Sequence, residues 1–553
     1  MMIRRLLAVL SLVALAACAG GAPSPAAHLS DFGTDVRSPP HSKTHVPVKA
    51  VRYGVTATSS ADPNATLNWC SYAGTGNVAC IQTATAVASA VNARVLATGG
   101  ASTSQTLTTP TITGAISGSP DMSGGMALAK ASSIARSLSA RFGERCNVLD
   151  YGAKADGVTN DTAAWQAAIN ACSAAGGGVV EVPAGISIVG VLSIPSYIAI
   201  QGKGMYTSII RSPDLVSDTF QFASGAHYDE IAGLRYDGYS NKRTGGAAFH
   251  ICGTCGTIWI HNVSTYFAYK TFQIDGDGTT YGGATEVYVD EGDFRNTQTG
   301  SSMAEIDGGN DHFFFHVTAD NDWSAVQPLA GFAVNKTGGF WLTSSDIINF
   351  THGLYVVGSN NTAWGFVHDT AFDTSYGDQI AFNAATGTTI YGWQFTGVWV
   401  SSASGGCGIH LYGAGTIDGF MFDGGRILNN AWDGFDVETG KNVSINNSLI
   451  IADGGANYGA SSQPYVGVRI TGGSNVDGVM VRGNRIGTSM GYPTYTAVAI
   501  KVEDQISTTD YSDHIIISQN DLRGTINKQG VYYNAGNRTS IVMNGNFGDD
   551  GND

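Results

Sequence analysis

Past residue 180, short runs of alternating apolar and polar positions return at a steady interval. Five share one form, a small or polar residue followed by apolar–x–apolar: Gly353-Leu-Tyr-Val356, Gln379-Ile-Ala-Phe382, Gly408-Ile-His-Leu411, Gly434-Phe-Asp-Val437 and Gly467-Val-Arg-Ile470. A period of two marks strands with one buried face. Each run is preceded by another strand-like start, at Ile258, Val287, Phe314, Phe340, Trp364, Ile390, Ile417, Val443, Val476, His514 and Ser540. Most intervals fall in the mid-twenties of residues, with Gly/Asn-rich turns between, which predicts a solenoid of stacked rungs. A propeller would need four strands per blade and a longer period. The two longest intervals predict loops inserted on one face, at 453–464 and 487–496.

The repeat has a distinct opening. Val148-Leu149 leads into the loop Gly152-Ala-Lys-Ala-Asp156-Gly157. A helix follows, with Asn160/Asp161 available as caps and Ala164, Trp165, Ala168, Ile169 and Cys172 at helical spacing. Gly176-Gly177-Gly178 ends it and Val179-Val-Glu-Val-Pro183 begins a strand. This order of strand, Asp-Gly loop, capped helix, Gly triplet and V-x-V-P closely resembles the start of the pectate-lyase-like superfamily, which spans pectate lyases, rhamnogalacturonases and phage tailspikes. The resemblance implies an all-β chain: a right-handed, single-stranded parallel β-helix whose open N-terminal end is closed by the helix. The segment Thr109-Pro-Thr-Ile-Thr-Gly114, with Ala135-Arg-Ser-Leu138 after it, resembles tailspike connectors, and a homotrimer is the assembly this implies.

Composition narrows the function classes. Gly makes up 73 of 553 residues, consistent with many tight turns, and the aromatic share of 10% argues against disorder. Net charge is −15 with 29 Lys plus Arg, which excludes nucleic acid as an expected partner, since phosphate binding needs clustered positive charge. Arg4-Arg5, the apolar run Leu6–Ala14 and Leu15-Ala-Ala-Cys18 form a signal segment that resembles those of bacterial lipoproteins. That implies a lipid on Cys18, membrane attachment through it, and an exported protein held at the outer membrane, facing the periplasm or the cell surface. The expected parts are a signal peptide (1–18), a Pro/Ser/Ala-rich tether (19–50), a small N-terminal region or connector (51–140) and the β-helix (141–553). Short helical pieces are expected at 81–96 and 131–142.

In an oxidising compartment Cys70–Cys80 and Cys146–Cys172 are expected disulfides. Cys252-Gly-Thr-Cys255 lies between His250 and His261, but a local disulfide or two solvated thiols fit it better than zinc, so no metal is expected.

Rungs of a parallel sheet lie ~4.8 Å apart, so equivalent positions form ladders. Aligning the second strands puts His352, Asp378, Cys407 and Asp433 in one column at a turn, and Tyr355, Ala381, His410 and Asp436 in an outward column two residues past the glycine. Asp433, Asp436, Asp378 and His410 are therefore the candidate catalytic set. Asp378 and Asp433 sit two rungs (roughly 10 Å) apart, near the separation of an inverting glycosidase pair. Trp432, Trp399, Tyr355 and Arg426 are candidate sugar contacts. Asp and Asn are also ordinary turn residues, and the rival acidic groups are Asp290-Glu291-Gly-Asp293, Asp320-Asn-Asp322-Trp323 and Asp369/Asp373. Asn430-Ala-Trp-Asp433-Gly-Phe-Asp436 followed by Asp453 resembles the Asn-Thr-Asp and Asp-Asp motifs of polygalacturonases. Gly454 replaces the second Asp, and neither Gly-His-Gly nor Arg-Ile-Lys follows. The reading is an exported, lipid-anchored protein that hydrolyses an extracellular or cell-surface polysaccharide without a cofactor. One alternative is a non-catalytic carbohydrate-binding or adhesin-like protein. Another is a lyase, which would use Ca2+ and an arginine base, with Arg426, Arg469, Arg482 or Arg485 in the right region.

Overall fold

The computed structural model describes residues 126–128 and 134–548, apart from 240–242, 280, 322–326, 360, 455–464, 473–475, 488–495, 497, 505–513, 524–528 and 534–540. Cys18, the expected tether at 19–50, Cys70, Cys80, the expected helix at 81–96, Trp323 and most of both expected loops lie outside the described residues. Where an amphipathic helix is expected at 131–142, Ala135–Ser137 instead pairs antiparallel with Met126–Leu128, and only Leu138–Phe142 is helical.

The rest is a parallel β-solenoid. One wall is a thirteen-stranded parallel sheet: β1 Leu192–Ile194, β2 Phe220–Phe222, β3 Ala247–Ile251, β4 Lys270–Asp275, β5 Ser302–Asp307, β6 Ala330–Asn335 and β7 His352–Gly358. It continues through β8 Ile380–Ala384, β9 Ile409–Gly413, β10 Phe435–Val437, β11 Val466–Gly472, β12 Val498–Asp504 and β13 Gln529–Tyr533. Each pairs with the next, one rung on. The remaining strands form the other ladders. Inward residues stack as like on like: Phe220, Phe249 and Phe272 are in register, with ring centroids 5.4 Å apart at each step. The column continues through Phe332, Leu354, Ile380, Ile409, Phe435, Val468 and Ile500, all fully buried. This is one continuous apolar core, built because an alternating strand must bury one face and each rung supplies the cover for the last.

Helix α1 (Thr162–Ala174) buries Trp165, Ala168, Ile169 and Cys172, a single stripe, over the first rungs. Trp165 lies 6.4 Å from Phe220, and Cys172 is bonded to Cys146. Asp161 does not cap α1 with its side chain. Its carboxylate instead accepts from Lys154 N and Ala155 N, 2.8 and 3.0 Å, closing the Asp-Gly loop, while Asn160 Oδ1 accepts from Thr162 N.

Turns are held by ladders of their own. Ser448 N donates to Asn484 Oδ1, Asn484 N to Asn520 Oδ1 and Asn520 N to Asn546 Oδ1, at 2.9 to 3.0 Å. A buried turn must satisfy its backbone groups somewhere, and a stacked amide does so at every step. The first-strand register differs from the expected starts. His312, not Phe314, pairs with Val287 and Phe340, and Gly365, not Trp364, pairs with Phe340 and Trp393. Gly440, not Val443, pairs with Val476. His312 and Phe314 both point inward, so a period of two cannot separate them, and the strand bends at Trp364 (φ 54°). Gly365 is required there, because a Cβ would stand 2.0 Å from the Trp393 ring.

Asp453 belongs to a second turn ladder rather than to the surface. It is fully buried, and its Oδ1 accepts from Asn430 N and Nδ2 at 3.1 and 2.8 Å. Burial pushes its carboxyl up to about 8. A carboxyl raised on folding stabilises most below its unfolded value near 3.8 and loses that contribution as pH rises to about 8. Asp453→Asn is therefore expected to flatten the decline of melting temperature between pH 5 and 9. Parallel slopes in wild type and variant would refute the assignment.

Candidate functional site

On the outer face of the thirteen-stranded sheet, register places Tyr355, Ala381, His410, Asp436, Arg469, Lys501 and Tyr532 in one column on β7 to β13. Beside it, Asp378 and Asp433 precede β8 and β10 at the same turn position. Each carboxylate takes a backbone N–H from the next rung and a basic side chain from the outward column. Asp378 Oδ1 accepts from Cys407 N (2.7 Å), and His410 Nδ1 donates to Oδ2 (3.1 Å). Asp433 Oδ1 accepts from Val466 N (2.6 Å), and Arg469 donates through Nε to Oδ2 (2.7 Å) and through Nη2 to Oδ1 (3.1 Å). The device also occurs far up the sheet, where Asp218 accepts from Ala247 N (2.7 Å) and His250 Nδ1 (2.6 Å).

His410 is the hub. Its Nε2 lies 3.4 Å from Glu438 Oε1, an ion pair without hydrogen-bond alignment. One ligand atom from each of His410, Asp436 and Glu438 falls within 4.8 Å of the others. The His410 ring stacks on Tyr412 at 4.3 Å, and His352 stacks on Tyr355 at 5.0 Å. Arg469 Nη1 also donates to Glu503 Oε2 (2.9 Å), and Lys501 pairs with Glu503.

The charges separate in a definite way. Burial opposes the charge on His410, but Asp378 and Glu438 outweigh it and push the imidazole up to about 10. The ion pair with His410 holds Glu438, which is half exposed, below the ordinary glutamate value. Asp436 goes the other way: burial first, then the neighbouring Asp433 charge, pushes it up to about 8. Its Oδ1 is buried without a hydrogen-bond partner. Burial also raises Asp433, against the pull of Arg469. Burial thus favours a proton on Asp436, while the His410 imidazole favours the charge on Glu438. Cys407, unpaired and buried beneath, has its thiol pushed well up by burial and is no nucleophile.

Calcium, which the lyase resemblance implies, takes six to eight oxygen ligands. Here the Asp433 oxygens are taken by Arg469 and Val466 N, and the remaining cluster offers a histidine beside two carboxyls. The residues do not fit that ion.

Of the expected sugar contacts, Tyr355 lies in the outward column and Trp432 stands 43% exposed at the Asp433 turn, stacked on Tyr465 at 6.3 Å. Trp399 and Arg426 are not brought to this site. They are register partners on Trp399–Ser401 and Arg426–Leu428, outside the thirteen-stranded sheet, and the guanidinium sits 5.8 Å over the indole. Proximity in sequence misleads because each rung turns between that ladder and β9 or β10. The rival acids are largely engaged in pairs: Asp290 with His316, Asp293 and Asp320 with Arg295, and Asp373 with Ser401. Glu438, Tyr412, Lys501 and Glu503 were not singled out from sequence. Arg469, considered there only as a lyase base, occupies in Gly467-Val-Arg-Ile470 the position of Asp436 in Gly434-Phe-Asp-Val437, so extending the column by one rung finds it.

A family model described as rhamnogalacturonase A/epimerase, pectate lyase-like, matches residues 145–391. Mannuronan C5-epimerase AlgE1 of Azotobacter vinelandii is 49% identical over 76 residues, 12% of this chain and 5% of that protein. Alginate lyase 7 of the same organism is 38% identical over 113 residues, 18% of this chain and 13% of that protein. The chain thus spans only a small part of these relatives' length. Tailspike protein 3 of bacteriophage CBA120 superposes with a TM-score of 0.51 at 12% identity, over 75% of this chain and 64% of that one. With the helix-capped opening and the stacked parallel rungs, the matched stretch 145–391 is of the pectate-lyase-like, right-handed parallel β-helix superfamily.

Proposed function

We propose that this protein cleaves glycosidic bonds of a polysaccharide laid across the outer face of β9 to β11, with Asp436 as general acid and Glu438 as its carboxylate partner. The observation that supports this most is a pair of neighbouring carboxyl groups whose environments push their pKa values apart, the pattern of an acid and a base sharing one site. Their oxygens lie within 4.8 Å, which suits the short separation of retaining enzymes (roughly 5–5.5 Å) better than the long one of inverting enzymes. Asp436 would protonate the leaving oxygen while Glu438 attacks the anomeric carbon. Asp436, now ionised, would then take a proton from water as it displaces Glu438. His410, Asp378, Asp433 and Arg469 are positioning residues: their lone pairs and protons are largely committed to one another. Export and anchoring through Cys18 belong to the same proposal and rest on the N-terminal sequence.

A second reading, β-elimination or C5 epimerisation of a uronate polymer, is favoured by the likeness to AlgE1 and alginate lyase 7. Products decide. The purified protein should release reducing ends from at least one member of a panel of neutral and uronate polysaccharides, without the ultraviolet absorbance of unsaturated uronate. Absorbance would establish the lyase, and altered uronate NMR signals at constant chain length the epimerase. Silence with retained binding would leave a non-catalytic carbohydrate-binding protein.

A further inference from the structure

A different wall of the solenoid carries a second set of residues that the proposed chemistry does not use. Register there aligns Glu230, Trp259, Tyr288, Phe313, Trp341 and Phe366 on six successive rungs, all outward. From Tyr288 to Phe366 the rings stack nearly parallel at 4.5 to 5.2 Å, so their faces are covered by one another. Trp259 breaks the stack. It lies 6.2 Å from Tyr288 at 47° and is 55% exposed, which leaves indole surface open. Nearby, Tyr197 and Tyr228, 52% and 60% exposed, stack on each other at 5.6 Å, both braced by His227. These rings and Glu230 line a groove of about 590 Å³. Glu230 is held in place, its Oε1 accepting from His261 Nε2 (3.1 Å) and Gln201 Nε2 (3.3 Å).

We infer that this groove is a binding site for a neutral oligosaccharide, separate from the His410 rung. Its volume is that of a small-ligand site rather than of a protein interface. Flat, rigid rings with polar tips offer the apolar faces of pyranose rings a platform at little entropic cost, and a fixed carboxylate accepts from sugar hydroxyls. Among the described residues the lining contains Glu230, the buried Asp229 and no basic residue. In a chain of net charge −15, that disfavours a uronate polymer and disfavours a second copy, because like charges would meet across the contact. A neutral glycan is the occupant this balance leaves.

The test is calorimetric titration of the full chain, in wild-type and Asp436→Asn forms, with neutral hexasaccharides (cello-, xylo-, manno-, malto- and galacto-series) and with oligouronates. At least one neutral hexasaccharide is expected to bind both forms equally, with no comparable oligouronate binding. Trp259→Ala should weaken it at least tenfold and Glu230→Gln several-fold. Both Trp259 and Tyr228 are more than half exposed, so unchanged melting temperature is expected, and Tyr228→Ala serves if Trp259→Ala fails to fold. Absence of neutral binding, or affinity untouched by Trp259→Ala and Tyr228→Ala, overturns the proposal. A wild-type oligomer that Trp259→Ala dissociates, in place of sugar binding, would also overturn it and make a second copy the occupant.

Discussion

Asp436→Asn is expected to lose glycosidic cleavage by at least 10²- to 10⁴-fold, the share of the rate that a positioned proton donor supplies, with folding retained. The amide keeps the shape of the carboxyl but cannot give up a proton to the leaving oxygen. Glu438→Gln should cost as much or more, because no covalent intermediate can form. The pH profile is a sharper check. Asp436 must be protonated, so activity should fall as pH rises through about 8, while Glu438, held down by His410, should limit activity only at or below the ordinary glutamate range. Asp433→Asn removes the neighbouring charge that adds to the burial of Asp436, and should move the alkaline limb to lower pH. An alkaline limb that stays in place in Asp433→Asn would sink the assignment of Asp436 as the acid. Full activity in Asp436→Asn would move the chemistry elsewhere.

The second large effect concerns stability. Arg469 is 16% exposed and its guanidinium answers Asp433, Asp436 and Glu503 together. Arg469→Met removes the cation and leaves the Asp433 carboxylate, about 5% exposed, with the single N–H of Val466. Breaking a buried pair from one side costs about 3–5 kcal/mol, because the abandoned charge must stay desolvated or take up a proton. The double variant Asp433→Asn/Arg469→Met should recover much of that loss, since no uncompensated charge remains. Chemical denaturation of the four proteins measures the coupling directly. Additive losses would mean that the pair is screened by solvent and contributes little. A loss in Arg469→Met that grows with pH would follow from Asp433 having to ionise without its partner.

How far the site could be read before folding depended on which ladder was in question. The second-strand column was legible because each rung carries a glycine or polar residue two positions before its outward side chain, and burial of the intervening apolar residue pins the register to one face. Tyr355, Ala381, His410 and Asp436 could therefore be stacked on paper, and they do stack. Arg469 was legible in the same way, since Gly467-Val-Arg-Ile470 repeats the form of Gly434-Phe-Asp-Val437 one rung on. On the first strands, paired inward residues such as His312 and Phe314 blurred the register. Asp433 and Asp378 were visible as acids of the right spacing, but nothing in the linear chain shows their oxygens already taken by Arg469, His410 and two backbone N–H groups. Trp399 and Arg426 were placed near the acids by sequence distance, which a turning rung does not respect.

By itself, the sequence determined the solenoid, the helix-capped opening, the inward and outward alternation and the column that carries the charged residues. These are local or periodic properties, repeated once per rung, and repetition makes a weak signal strong. The tertiary structure alone decided which carboxyl is free to hold a proton, which is tied up, and that a groove of exposed rings stands on a different wall. Those depend on burial and on partners 29 to 36 residues away in the chain but one rung away in space. At that separation a charge is set by what stacks above and below it, and no stretch of sequence contains both.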